Sequence, residues 1–358
     1  MSIENKIVQQ DVHEMMSEGL DWELLRGKSV LITGAYSMLG SYMANLMLSL
    51  NQEKNLEIEV FLLGRNEETL RSRFEVFTDD AHCHLLCQDV ICPILVDHAD
   101  YIFHFAGNCS PYYICNEPVD ILRSNLIGTF NVMDLAQRCH SERVIIISTR
   151  EVYGDVTKHK SVLAQQKAGA IASIDEKTFG GFDPMDNRSC YPESKRAEES
   201  IARSYFVQHG IPVNCIRMAH VFGPGMKTEQ DGRVMSDFIG DAIQGHDIVL
   251  HSDGSAVRAF CYLSDAIIGI LYVAFKGEPG EAYNLSNEAE SLPIREVAQM
   301  ICDASPHDIH VRFDGPVCPS GYCQYPRTAL SNQKITDLGF VPKVSLKEGI
   351  CLTLESFG

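Results

Sequence analysis

The sequence predicts an α/β fold: a doubly wound parallel sheet with helices on both faces, completed by a smaller C-terminal α/β lobe. Three observations predict it. Short, predominantly apolar runs recur near 30–32, 58–63, 99–105 and 144–148, the pattern of strands buried on both faces. Segments of helical periodicity separate them, as at 121–138, and strands alternating with helices give parallel sheets. A glycine-punctuated turn links the first strand to the first long helix of the series. The chain has 358 residues, 45% hydrophobic and 22% charged, which excludes a disordered or fibrous polymer and allows one large or two fused domains.

The elements follow in order. Residues 11–26, DVHEMMSEGLDWELLR, place apolar side chains at helical spacing before Gly27, so residues 1–27 read as an N-terminal helical extension packed on the body. The strand at 30–32 runs into Thr33-Gly34-Ala35-Tyr36-Ser37-Met38-Leu39-Gly40, spaced like a dinucleotide-binding fingerprint at 34, 37 and 40. Such a strand–turn–helix opens a Rossmann-type domain, expected here over 28–224. Within it, 155–190 is long, polar and marked by Gly and Pro, which suggests an active-site lid. A helix at 192–209 and a strand at 213–217 then resume the sheet. Beyond 225 the elements shorten, at 236–243, 283–285 and 294–301, and are expected to form mainly a substrate-binding lobe over the carboxyl ends of the strands.

Composition excludes several functions. Lys and Arg number 30 against 48 Asp and Glu, a formal charge of -18, which repels a nucleic-acid backbone. No apolar run reaches the ~18–20 residues that cross a bilayer, and MSIENKIVQQ lacks the features of a signal peptide, so a cytoplasmic protein without a membrane partner is expected. The 13 cysteines include no C-x-x-C; Cys83-His84 with Cys87, and Cys318 with Cys323, have no second matching pair. Reduced thiols and no metal site are the expectation.

The motifs suggest chemistry. Gly34 permits the tight turn and Gly40 close helix–strand packing; Ser37, where a glycine is usual, offers a hydroxyl beside the N-terminus of the helix that Met38 and Leu39 open. The second strand ends in Leu62-Leu63-Gly64-Arg65-Asn66. With no acid for a ribose 2′-hydroxyl and a cation for a 2′-phosphate, NADP is favoured over NAD, unless Arg65 is only a solvated surface residue or stacks on adenine. Tyr191 and Lys195 are four apart and share a helix face, so the ammonium is expected near the phenol, lowering a pKa that starts near ~10 and yielding a base for a substrate hydroxyl. Thr149 and Glu151 follow the strand at 144–148, a position pointing into the cleft; a strand-end cap for Thr149 and an ion pair of Glu151 with Arg150 are the structural alternatives.

In combination and order, the motifs resemble the extended short-chain dehydrogenase/reductase family of nucleotide-sugar enzymes, the NAD-dependent epimerase/dehydratases. The matching pieces are TGAYSMLG, His104-Phe105-Ala106-Gly107, Asn125-Leu126-Ile127-Gly128-Thr129, STREVYG, YPESK, Phe222-Gly223-Pro224, Arg258-Ala259-Phe260, YNLSN and LGFVP with Lys347-Glu348-Gly349. The likeness covers nearly all of 28–356. Within the family, Ser110-Pro111-Tyr112-Tyr113, Cys190 to Arg196, Gly223 to Met226 and Asp231 to Ile239 are similar to UDP-glucuronate decarboxylases.

That resemblance implies a nucleoside-diphosphate sugar as substrate and a bound nicotinamide cofactor. It implies Tyr191 as the base at the sugar 4-hydroxyl, Thr149 sharing its hydrogen bond, Lys195 holding Tyr191 and the nicotinamide ribose, and Glu151 assisting decarboxylation. It adds Asp89, Val90, Ala106 and Asn125 to the cofactor contacts, and Ser110, His220, Arg233 and Arg258 to those of the substrate. Arg150 stands where sugar 4,6-dehydratases carry a proton-donating Asp, which disfavours dehydration. His220 replaces the usual Asn, and Gly64 the usual acid. A 4-epimerase, an NADP-dependent keto-sugar reductase and, outside catalysis, a cofactor-sensing regulator are the alternatives. By the same analogy a homodimer through two helices of the sheet domain is expected.

Overall fold

The computed structural model describes residues 3–168, 172–229, 231–315 and 328–358. Its strands are β1 (Ser29–Thr33), β2 (Glu59–Gly64), β3 (Cys83–Cys87), β4 (Tyr101–His104), β5 (Arg143–Thr149), β6 (Ala172–Ile174), β7 (Val213–Met218), β8 (His220–Phe222), β9 (Ile248–Leu250), β10 (Val257–Tyr262), β11 (Ala282–Leu285), β12 (Asn287–Pro293), β13 (Val311–Phe313) and β14 (Thr328–Leu330). The helices are α1 (Lys6–Met16), α2 (Met38–Lys54), α3 (Glu67–Arg73), α4 (Pro111–Asn116), α5 (Pro118–Cys139), α6 (Lys160–Lys167), α7 (Cys190–His209), α8 (Val234–Gln244), α9 (Leu263–Lys276), α10 (Ile294–Ala304), α11 (Gln333–Thr336) and α12 (Leu346–Glu355).

The main sheet has seven strands in the order β11-β7-β5-β4-β1-β2-β3, all parallel. Its centre is buried on both faces: every residue of β1 and β4 is buried, as a sheet covered by helices on each side requires. The order reverses between β1 and β4, and that switch point opens a crevice beyond the carboxyl ends of the strands. A second core gathers Phe222, Phe238, Ile239, Val297, Ile301 and Ile350 around a three-stranded sheet, β12-β10-β8, and forms the smaller lobe.

Four local expectations shift. The leading helix is α1 at Lys6–Met16, not 11–26: Asn5 caps it through Ile7 N and Val8 N, and a separate 3-10 turn, Trp22–Leu25, follows with Asp21 as its cap. Val8, Val12, Met15 and Met16 form its buried face. The cysteine-histidine run Cys83–Cys87 is the edge strand β3, where His82 and His84 both grip Glu59, at 2.8 and 2.5 Å; Cys318 and Cys323 lie outside the described residues. The 283–285 strand pairs with β7 as the far edge of the main sheet, so the chain beyond 225 serves both halves. The helix read from 192 begins at Cys190, so Tyr191 lies within its first turn.

The 155–190 segment is anchored to the body. β6 pairs with β14, Asp155 bridges to Gly181, and the Arg196 guanidinium donates to the Val152 and Gly180 carbonyls at 2.6 and 2.7 Å while lying 4.3 Å over the Phe182 ring.

Candidate active site

The crevice at the switch point begins at the β1–α2 turn. Gly34 has φ +65° and a Cβ there would lie 2.9 Å from Ala106 N, so only glycine fits. A Cβ on Gly40 would strike the Gly34 carbonyl. Ser37 is the N-cap of α2, its Oγ accepting from Gly40 N at 3.1 Å, a role that explains serine in place of glycine. The groove that starts here is lined by Gly34, Ser37, Arg65, Asp89, Val90 and Ala106, residues expected around a cofactor. Met38 and Leu39 open α2 at this turn, with their side chains partly buried against the main core.

Position 64 lacks an acid for a steric reason. A Cβ on Gly64 would fall 2.6 Å from the Tyr36 ring, so that aromatic fills the space an acidic side chain would need. Arg65 is exposed, its guanidinium 3.8 Å from the Asp89 carboxylate.

Asn125 is fully buried on α5. Its Nδ2 donates to Ser194 Oγ at 2.8 Å, and its Oδ1 has no hydrogen-bond partner. A buried amide oxygen without a partner costs about 1–3 kcal/mol. It faces the space over Gly107, where φ is +145° and a Cβ would lie 3.0 Å from that oxygen. Gly107 also lines the groove, so an oxygen in want of a donor and a gap that only glycine leaves open border the same channel. Phosphate-accepting turn, open groove and orphan acceptor together fit a dinucleotide.

At the carboxyl end of β5, Thr149 caps a one-turn 3-10 segment, Arg150–Tyr153, its Oγ1 accepting from Glu151 N at 3.2 Å. The strand-end cap holds for this residue, and its hydroxyl lies within reach of the Tyr191 phenol. Glu151 does not pair with Arg150. Both its oxygens are taken by Arg188, at 2.5 and 2.9 Å, from the end of the inserted segment.

Tyr191 is 6% exposed. Burial first, then Cys109 and Glu151, push its phenol well above the ordinary tyrosine value, and the Thr149 bond works against them. Lys195 has other partners than expected: its ammonium donates to the Ile147 carbonyl and to Glu198 Oε2, each at 2.9 Å. The i,i+4 spacing does bring Tyr191 and Lys195 to the same buried face, but a carboxylate one turn on draws the ammonium to itself. The expected acidification of the phenol by a neighbouring ammonium is therefore absent from this arrangement. Glu198, fully buried, and Arg188 were missed in the sequence. Glu198 had a signal, a carboxylate at i+3 on the Tyr191–Lys195 face; Arg188, in an irregular segment, had none.

The remaining predicted residues meet on the lobe side. Ser110 Oγ donates to the Asp231 carbonyl at 2.9 Å, joining the sheet domain to the 231–233 loop. Arg233 pairs with the Asp231 carboxylate, and buried Arg258 donates to the Val257 carbonyl at 2.9 Å. His220 Nε2 lies 3.4 Å from Arg150 Nη1. Burial and four guanidiniums, those of Arg150, Arg258, Arg233 and Arg188, hold His220 neutral, well below the ordinary imidazole range. Among the described residues, no group of three or more His, Cys, Asp or Glu side chains could hold a metal, and no helix is long and apolar enough to cross a membrane.

Comparison with known proteins agrees with this geometry. The chain is 30% identical over 330 residues to UDP-glucuronic acid decarboxylase 6 of Arabidopsis thaliana, covering 92% of this chain and 88% of that one. It is 31% identical over 335 residues to UDP-glucuronic acid decarboxylase 1 of Danio rerio, covering 92% and 72%. Among solved structures, UDP-glucose 4-epimerase of Thermotoga maritima matches its fold with a TM-score of 0.75 at 20% identity, over 92% of this chain and 98% of that one. Residues 30–286 match the NAD dependent epimerase/dehydratase family, and to that family the chain belongs.

Proposed function

We propose that this chain is a nucleotide-sugar enzyme that oxidises a UDP-linked uronic acid at C4 and releases its carboxylate as carbon dioxide. One observation supports this reading above the rest: Tyr191, Thr149 and Glu151 meet at the end of β5 beside four guanidiniums gathered around His220. Arg188 and Arg233 are paired with Glu151 and Asp231, yet in a chain of net charge -18 four guanidiniums collected at one place suit a polyanionic ligand. A diphosphate with a uronate carboxylate is that kind of ligand, and Arg233 and Arg258 suit its phosphates.

Tyr191 takes the proton of the sugar 4-hydroxyl, which shares a hydrogen bond with Thr149. Glu151, gripped on both oxygens by Arg188, is held in one orientation beside the reacting sugar. Once C4 is a ketone, the carboxylate on C5 is β to it, and the electrons released with carbon dioxide delocalise into the carbonyl. Arg150, in hydrogen-bond reach of neutral His220, cannot serve as the proton donor that dehydration needs. Gly34, Ser37, Ala106, Asn125 and Lys195 would hold the nicotinamide cofactor, which when bound supplies the hydride acceptor and donor.

At the adenosine end we propose NADP, since Arg65 suits a 2′-phosphate and Gly64 leaves no acid for a 2′-hydroxyl. Arg65→Ala then weakens NADP by roughly tenfold and NAD little; equal losses in a fluorescence titration contradict it. We also propose a cytoplasmic homodimer through α5 and α7, where Val119, Ile127, Phe130 and Val207 are exposed. A monomer in sedimentation contradicts the dimer.

The decisive trial is incubation with UDP-glucuronate while carbon dioxide is collected. The wild type releases it, and Tyr191→Phe loses roughly 10³-fold or more of the rate while still binding cofactor. A folded, cofactor-loaded wild type that is inert toward this substrate contradicts the reading.

A further inference from the structure

Lys195 stands between two environments. Behind it is Glu198, fully buried, whose Oε2 accepts from the ammonium at 2.9 Å and whose Oε1 has no hydrogen-bond partner. In front is the groove: a Cβ on Gly107 would lie 3.5 Å from Nζ, and Gly107 lines the channel proposed for the dinucleotide. The ammonium is fixed by the Ile147 carbonyl and by Glu198, which leaves its third proton for the groove side. A buried carboxylate with one oxygen lacking a protein partner tolerates ionisation only because an ammonium touches it.

The other ionisable groups around this pair leave it isolated. On α7, Glu199 opposes ionisation of Glu198, but is itself gripped by Arg217 of β7 at 2.7 Å and by Ser148 of β5 at 2.5 Å. Cys215 of β7 is held as a thiol by burial. His104 of β4, bonded to Thr33 Oγ1 at 2.7 Å, is kept neutral by burial and by Lys195. From α5 come only neutral groups, Asn125 and Thr129. Tyr191, also on α7, feels the Glu198 charge as a repulsion.

We propose that Glu198 is a positioning residue for Lys195, whose carboxylate sets how much positive charge the ammonium presents to the nicotinamide and to Tyr191. The proposal rests on the nicotinamide reading of the groove. With Glu198 ionised the pair is neutral overall; with Glu198 protonated, Lys195 faces the groove with its full charge, which favours a phenolate at Tyr191 and opposes a cationic nicotinamide ring. Burial raises the Glu198 carboxyl to about 7, so both states are populated near neutral pH.

The test is the pH dependence of dinucleotide affinity in the full-length protein, without any sugar. The oxidised cofactor carries a positive ring and the reduced one does not, so the ratio of their dissociation constants isolates the charge at Lys195. In the wild type, the oxidised form gains on the reduced form by roughly fivefold between pH 6 and 8. Glu198→Gln keeps an acceptor for Lys195 but not the charge, and flattens the ratio; Glu198→Asp keeps the charge and retains the slope. Equal slopes in wild type and Glu198→Gln, or the same loss in Asp and Gln variants, overturn the role of Glu198 and leave the groove assignment standing. No binding of either NAD or NADP to the folded wild type overturns both. Binding with the predicted slopes but no turnover of any nucleotide sugar overturns only the decarboxylase reading.

Discussion

Arg188 and Glu151 show how one residue of the inserted segment reaches the reacting centre. Their bidentate pair is largely shielded from solvent, and fork-to-carboxylate geometry fixes direction as well as charge. Arg188→Ala leaves Glu151 free to rotate, and misplacement of this kind costs on the order of 10²-fold in rate. Turnover of the folded variant should fall accordingly; a rate within twofold of wild type contradicts a positioning role for Arg188. Thr149, Glu151 and Tyr191 were legible in the sequence because each sits at a point the backbone pattern marks, a strand end or a first helical turn. The partner of Lys195 was not, because a helical spacing fixes which face a long side chain leaves from, and the nearest acceptor decides where it ends.

At the scale of elements, one buried carboxyl links the N-terminal helix to both cores. Asp11 Oδ2 accepts from the Tyr42 hydroxyl of α2 at 2.8 Å and from that of Tyr262 of β10 at 2.9 Å, joining α1 to both cores. Burial raises Asp11 from 3.8 to about 6. A carboxyl raised on folding stabilises the fold below its unfolded value, near pH 4, and loses that contribution as pH climbs through 6; two pH units correspond to about 3 kcal/mol. Asp11→Asn stays neutral and can still accept. Its melting temperature should match wild type near pH 4 and exceed it at pH 8, and a gap that is constant or reversed contradicts this account. Sequence patterning found β1, β2, β4, β5 and β7 because strands near the centre of a parallel sheet are rich in apolar residues. It missed β3, an edge strand whose residues are half-buried or exposed, and it began the first helix late, because the cap at Asn5 and the apolar Val8 precede the stretch that looked most periodic.

Across the whole molecule, the crevice at the carboxyl ends of the strands is bordered by the lobe, which Ser110 joins to the sheet domain through the 231–233 loop. The lobe was legible only as a loosening of the strand–helix alternation, since its sheets are short and pair residues far apart in sequence. α9 and β11 return from it to the main sheet, a crossing that local periodicity cannot report. On the proposed reading, the crevice carries a closed redox cycle at C4, in which the hydrogen removed from the sugar comes back to it. UDP-glucuronate deuterated at C4 tests this most directly. The account predicts a product about 44 Da lighter that retains the deuterium at C4, with no net reduction of cofactor; loss of the label, or reduced cofactor accumulating in step with product, would contradict it.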